Sequence, residues 1–176
     1  MKNLLFLFIT SFTLICCEKD NSSKPIEEID KLPPATQTGA NKIGCILDGK
    51  AFLPYGFNST NCFYQYVDGE YYFFVRCQNR DKQNNLISID LTTNGSQISE
   101  NKTYQLYEHT KGNVSGVYLF NLDENFTSHT HTGELKITKL DRVNGIVSGT
   151  FWYDVEDKEG VVHQIRNGRF DFHYTN

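Results

Sequence analysis

The sequence has no block of like charge, no apolar run long enough to span a bilayer, and no motif of a familiar catalytic site. Its formal charge is −4 over 176 residues. Without a basic footprint, no nucleic-acid partner is expected. The longest apolar stretch, residues 4–15, falls short of the roughly 20 residues that a membrane-spanning helix needs. Gly-x-Ser-x-Gly, His-Glu-x-x-His and Gly-rich phosphate loops are all missing, so no catalytic residue, cofactor or metal ligand is assigned. No convincing long helix is present either. Aromatic residues, by contrast, are plentiful at 14% of the chain, with 10 Tyr and 13 Phe. Such side chains suit a half-buried pleated surface, which favours sheet.

The chain opens on Met1-Lys2-Asn3, continues through the apolar stretch and reaches small residues. Residues 1–16 therefore read as a secretory signal. The segment Leu14-Ile15-Cys16-Cys17 resembles the bacterial lipobox, with Cys17 as the lipid-modified residue. That choice puts Leu14 and the small Cys16 where the motif expects them. Modifying Cys16 instead would set bulky Ile15 beside the cut. Two or more acyl chains anchor a protein stably where one is marginal. Glu18-Lys19, directly after the expected lipid site, resembles the surface-export signals of Bacteroidota lipoproteins. This resemblance implies an outer-membrane lipoprotein at the cell surface or on the periplasmic face. Residues 17–41 read as lipidated Cys17 plus a flexible linker, because polar residues and Pro25, Pro33 and Pro34 dominate.

From residue 42 to 176 the signals are those of one antiparallel β domain, either a β-sandwich or a flattened β-barrel. Strands are expected at 43–48, 51–54, 62–67, 70–77, 86–92, 103–107, 114–120, 133–140, 146–155, 161–165 and 170–174. Asp68-Gly69 between two aromatic runs predicts a two-residue hairpin that pairs Tyr66 with Tyr71, Tyr64 with Phe73 and Cys62 with Val75. Both its faces are aromatic, which predicts a central position in the sheet. In the 86–92 strand Ile87, Ile89 and Leu91 should point inward and Ser88 and Asp90 outward. The alternation switches phase near Asn167-Gly168, as a β-bulge would cause.

Two ends of this region resemble a family of Bacteroidota lipoproteins of unknown function. The opening match is Thr36-Gln37-Thr38-Gly39-Ala40-Asn41, Gly44-Cys45 and Asp48-Gly49-Lys50. The closing match is Gly133-Glu134-Leu135-Lys136-Ile137-Thr138-Lys139-Leu140-Asp141, Ile146-Val147-Ser148-Gly149-Thr150-Phe151 and Gly168-Arg169-Phe170-Asp171. The resemblance implies address and a β fold, and no chemistry. Its residues also read as structure: turn or bulge positions at Asp48-Gly49 and Asn167-Gly168, close packing at Gly149, core at Phe151 and Phe170.

Several constellations carry possible chemistry. Cys45, Cys62 and Cys77 would lie in an oxidising compartment. Cys62 and Cys77 fall diagonally in the hairpin, about 7–8 Å apart, so their bridge requires a register shift; Cys45 could bridge either. His129-Thr130-His131 puts two imidazoles on one side of an extended segment, an arrangement able to chelate Zn²⁺ or Cu²⁺. Its bland counterpart is a polar loop, since nothing brings His109, His163 or His173 near. Asp154, Glu156, Asp157 and Glu159 crowd one connection without the ligand order of a Ca²⁺ loop, which favours a solvated turn. Asn-x-Ser/Thr triplets at Asn58, Asn94, Asn101, Asn113 and Asn125 count as coincidence in a bacterial chain. Tyr55, Phe57, Phe63, Tyr64, Tyr104, Tyr107 and Trp152 exceed what one small core needs, and exposed aromatics can stack on sugars or anchor proteins. The expectation is a membrane-anchored, non-enzymatic β domain that binds a glycan or an envelope protein, or supports the envelope. The alternatives are an envelope hydrolase and a His-based metal binder.

Overall fold

The computed structural model describes residues 26–176, so the expected signal segment and Cys17 lie outside the described residues. Eleven strands follow a short 3-10 turn at Glu28–Lys31: β1 (Lys42–Leu47), β2 (Lys50–Phe52), β3 (Thr60–Val67), β4 (Glu70–Arg80), β5 (Leu86–Thr93), β6 (Thr103–Leu106), β7 (Val114–Phe120), β8 (Asp123–Phe126), β9 (Gly133–Asp141), β10 (Ile146–Glu156) and β11 (Val162–His173). No described helix is long and apolar enough to cross a membrane.

The strands form one sheet in the order β2-β1-β11-β10-β9-β6-β7-β5-β4-β3, with β8 paired to β7. The all-β expectation holds. The sheet is mixed rather than purely antiparallel, because β6 meets β7 in parallel at Leu106 and Val114. It does not close into a barrel. Instead it curls until its two halves face each other across one core, a sandwich-like arrangement. Tyr153 of β10 spans that core, its hydroxyl donating to the Val117 carbonyl of β7 at 2.7 Å. Phe73 of β4 meets Phe170 of β11 with ring centroids 6.0 Å apart.

The Asp68-Gly69 hairpin has the expected register, Tyr66 opposite Tyr71, Tyr64 opposite Phe73 and Cys62 opposite Val75. Its expected central position is corrected: β3 ends the strand order. Its two aromatic faces have separate causes. Tyr64 and Phe73 belong to the core, while Phe63 and Phe74 stack at 5.2 Å on the other face, with the Arg76 guanidinium 5.0 Å from the Phe74 ring centre. The outer edge of β3 is covered by the chain terminus. Tyr64 donates its N–H to the Thr175 carbonyl at 2.9 Å, and Thr175 donates to Cys62 at 3.1 Å.

The phase switch expected near Asn167 is real, but it lies inside one continuous strand. Phe151 pairs with Gly168 and Tyr153 with Ile165, so β11 has an extra residue over that interval. Asn167 accommodates it with φ of 52°. Ile165 on one side of the bulge and Phe170 and Phe172 on the other therefore all reach the core. Gly149 allows this closeness, since a Cβ there would lie 2.7 Å from the Phe170 ring. A second correction concerns β5, where Ser88 and Asp90 are buried rather than solvent-facing. Arg76 lies along that face and donates to both Asp90 carboxylate oxygens, at 3.1–3.2 Å from Nε and 2.7 Å from Nη2. Ser88 donates to the same carboxylate. Burial pushes the Asp90 carboxyl up, against the pull of Arg76.

The described part of the expected flexible linker, residues 26–41, packs on the domain. Leu32 is buried, and Glu28 accepts the Ala51 N–H of β2 at 2.8 Å. Asp171 of β11 holds the rest. Its carboxylate accepts hydrogen bonds from the Thr36 hydroxyl (2.7 Å), from the N–H groups of Thr38 (2.9 Å), Gly39 (2.8 Å) and Ala40 (3.1 Å), and from the Ser148 hydroxyl (2.7 Å). Gly39 turns there at φ of 73°, and a Cβ would collide with the His173 ring at 2.5 Å. Sequence composition could not show this docking, because the partner carboxylate lies 130 residues downstream.

Asp171 is only 2% exposed. Burial alone would raise its pKa, but the hydrogen bonds from Thr36, Thr38, Ser148 and Ala40 outweigh burial and hold the carboxyl far below the usual range. A depressed folded pKa stabilises the fold above the unfolded value near 4 and loses that contribution as pH falls further. Asp171→Asn should cost about 3 kcal/mol at pH 7 in urea denaturation, since it leaves several donors poorly matched. The gap between variant and wild type should narrow as pH drops below about 4. A gap independent of pH would show that the charge is not what the donors hold.

Candidate binding site

At one end of the curled sheet the inward row of β3 and β4 runs out of core and opens to solvent. Alternation along β3 puts Tyr64 and Tyr66 on the same side as Cys62, and the hairpin register brings Tyr71 beside them. The β9–β10 turn adds Arg142, and the segment after β11 adds Tyr174. Together with Gln65, Val67 and Asn176 they line a hollow of about 500 Å³. Openings of curled sheets are favoured places for ligands.

The tyrosines form a continuous surface. Tyr64 and Tyr71 stack with centroids 5.2 Å apart, Tyr66 and Tyr71 tilt together at 4.8 Å, and Tyr174 meets Tyr64 edge-on at 5.9 Å. Tyr64 forms the floor, its hydroxyl 3.4 Å from the Ile98 carbonyl. Tyr66 forms the rim and is 63% exposed. The Arg142 guanidinium lies 5.5 Å from the Tyr64 ring centre and 5.3 Å from that of Tyr71. It also donates to both hydroxyls, at 3.3 and 3.4 Å. Burial raises the Tyr64 and Tyr174 phenols while Arg142 opposes it. The Arg142 guanidinium supplies the positive charge of the hollow.

The residues singled out from sequence are dispersed. Of the seven aromatics proposed as exposed, Tyr64 is core and is the one that lines the hollow. Tyr55 and Phe57 are 80% and 92% exposed, on the β2–β3 connection beside Asn79 and Arg80. Trp152 lies on the outer face of β10, with the Arg166 guanidinium 5.5 Å from its ring centre. Tyr104 is tied to Ser99 and Gln97, and Tyr107 tilts against the His129 ring at 4.9 Å.

His129 and His131 do not converge. His129 turns to Glu108 at 3.1 Å and His131 to Glu156 at 3.5 Å. Among the described residues, no group of three His, Cys, Asp or Glu side chains is placed to hold a metal ion. The crowded carboxylates divide in the same way. Asp154 pairs with Arg166 at 2.6 Å. Asp157 accepts the N–H groups of Glu159 and Val161 within its turn, and sits 3.2 Å from His163. The other His163 nitrogen lies 2.8 Å from Asp48. Its ring stacks on Tyr118 at 4.0 Å, whose phenol is pushed up to about 12 by burial and by Asp48 and Asp157.

Sequence reasoning missed Tyr66, Tyr71, Tyr174 and Arg142 as site residues. The hairpin register already placed the first two side by side. Only the curl of the sheet adds the others. The fold and hollow define an all-β domain with an aromatic, cationic basin at one end. No protein-family model, curated protein or solved structure matches the chain.

Cys45, Cys62 and Cys77 are free and buried. Cys62 faces Val75 and Cys77 faces Thr60, so the diagonal spacing persists and no register shift brings the sulfurs together. Burial pushes all three thiols up, which suppresses the reactive thiolate. In native protein at pH 8 these three cysteines should resist iodoacetamide, and in urea all three should be alkylated, as read by peptide mass mapping. Fast labelling of the native state would contradict their burial.

Proposed function

We propose that this chain is a membrane-tethered, non-catalytic binding domain that takes a glycan in the Tyr64–Tyr66–Tyr71–Tyr174–Arg142 basin. One observation carries the reading: four tyrosines and an arginine line one open hollow. Ring faces match the apolar faces of pyranose rings. Phenol hydroxyls, Gln65 and Asn176 match sugar hydroxyls. Stacking surface, amides and one cation are the chemistry of binding, and they favour this reading over a hydrolase.

The tether is the other half of the proposal. The lipobox-like segment supports lipid attachment at Cys17 and an outer-membrane address, of the kind implied by the resemblance to Bacteroidota lipoproteins. An open basin on an anchored domain suits capture of a polymer too large to enter the envelope.

The two halves are tested separately. Cys17→Ser should move the protein from the membrane fraction to the soluble exported fraction, and the native amino-terminal peptide should lose its lipid mass. Retention in the membrane would remove the anchor. Tyr66→Ala, at an exposed rim position, should leave the melting temperature unchanged and weaken glycan affinity about tenfold by titration calorimetry, in line with losing one stacking platform. Full affinity in that variant would move the site elsewhere.

A further inference from the structure

We infer that the glycan bound in this basin is acidic, a saccharide carrying a carboxylate that Arg142 receives. The inference rests on the basin being the binding site and goes further by naming the ligand's charge. It comes from how Arg142 is held. Two arginines show what such a group does when a carboxylate satisfies it: Arg76 grips Asp90 at 2.7 Å and Arg166 grips Asp154 at 2.6 Å, while Arg80 and Arg169, away from the basin, donate to the carbonyls of Asn84 and Asn167. Among the described residues, Arg142 takes part in no ion pair. Its hydrogen bonds to Tyr64 and Tyr71 are long, at 3.3 and 3.4 Å, and they use Nη1 and Nη2 once each. Those contacts orient the guanidinium without neutralising it. They also leave N–H donors over for a ligand, since a guanidinium carries five.

The adjacent carboxylate does not fill the role. Asp141 is spent on its own turn, accepting the N–H groups of Val143 and Asn144 at 3.0 Å each and the Asn144 amide at 2.9 Å. Lys139 lies 4.0 Å from the oxygen that accepts the Asn144 amide. These bonds hold the Asp141 carboxyl below its ordinary range. The loop thus presents the cation and keeps its own anion occupied.

Geometry then selects the ligand. A planar guanidinium receives a planar carboxylate through paired, charge-assisted hydrogen bonds. Tyr66 and Tyr71 provide a ring face beside it. A uronic acid offers both parts on one residue: a pyranose ring to stack and a carboxylate at its edge to meet the cation. A neutral sugar uses the tyrosines and leaves the guanidinium in water.

The experiment compares an oligogalacturonate with a neutral xylo-oligosaccharide of equal length, by titration calorimetry on the purified protein at low ionic strength. The uronate should bind at least about tenfold more tightly, the gain expected from one charge-assisted hydrogen-bonded pair. Raising the salt to 0.5 M should shrink that preference, since the basin is open to screening ions. Arg142→Gln should bring the uronate down to the neutral ligand, and Arg142→Lys, which keeps charge but loses the fork, should fall between. Melting temperatures of both variants establish that the fold persists. Equal affinity for the two sugars in wild type overturns the acidic ligand and leaves the glycan reading standing. Binding of neither sugar overturns both.

Discussion

The structure depends on a single buried carboxylate. Asp171, on β11, gathers donors from the segment before β1 and from β10, and so joins that segment to the last strand. A charge of this kind is tolerated in the interior only when its oxygens are fully engaged. Here the engagement is shared between three backbone N–H groups and the hydroxyls of Thr36, Thr38 and Ser148. The charge and the segment therefore support each other: without Asp171 the Thr38–Ala40 turn has nothing to close on, and without the segment the carboxylate keeps only the Ser148 hydroxyl. Residues far apart in the sequence meet at this point, Thr36, Thr38, Gly39 and Ala40 from before β1 with Ser148 of β10 and Asp171 of β11. This nest accounts for the presence of those six residues.

Docking of the amino-terminal segment bears on the rest of the fold. It holds the start of β1 against β11, and β11 is the strand whose bulge at Asn167 aims Ile165, Phe170 and Phe172 into one core. Past β11, the chain adds Tyr174 to the basin and Thr175 to the edge of β3. The basin is thus the place where the inward row of the hairpin outruns the opposing half of the sheet. Its tyrosines are continuous with the core below and wet above, which suits a side chain with an apolar body and a polar tip.

Much of the local structure is legible in the sequence because it is set by short-range physics. Asp68-Gly69 fixes a two-residue turn, and with it every pairing of the hairpin. The parity change around Asn167 marks the bulge. The expectations that failed turned on contacts that alternation and composition do not report. Asp90 reads as solvent-facing from alternation, yet Arg76 on the neighbouring strand covers it. The segment 26–41 reads as unstructured from composition, yet its donors are claimed by Asp171. The hairpin reads as central because both faces are aromatic, yet it ends the strand order and stacks its outer phenylalanines on each other.

The sequence by itself determined the β character of the domain, the turns and most strand positions, since alternation and turn chemistry act over two to ten residues. It also carries the lipobox-like segment Leu14-Ile15-Cys16-Cys17, a linear pattern that needs no fold to be read. The tertiary structure decided which carboxylates are buried, which thiols are sealed, and which aromatics share a surface. Those outcomes depend on strand order and on the curl of the sheet, and both arise from contacts between residues far apart in the chain. Tyr64, Tyr66 and Tyr71 are written as one hairpin face, but only the packing of that hairpin against the β9–β10 turn and the terminus makes that face a basin with a cation in it.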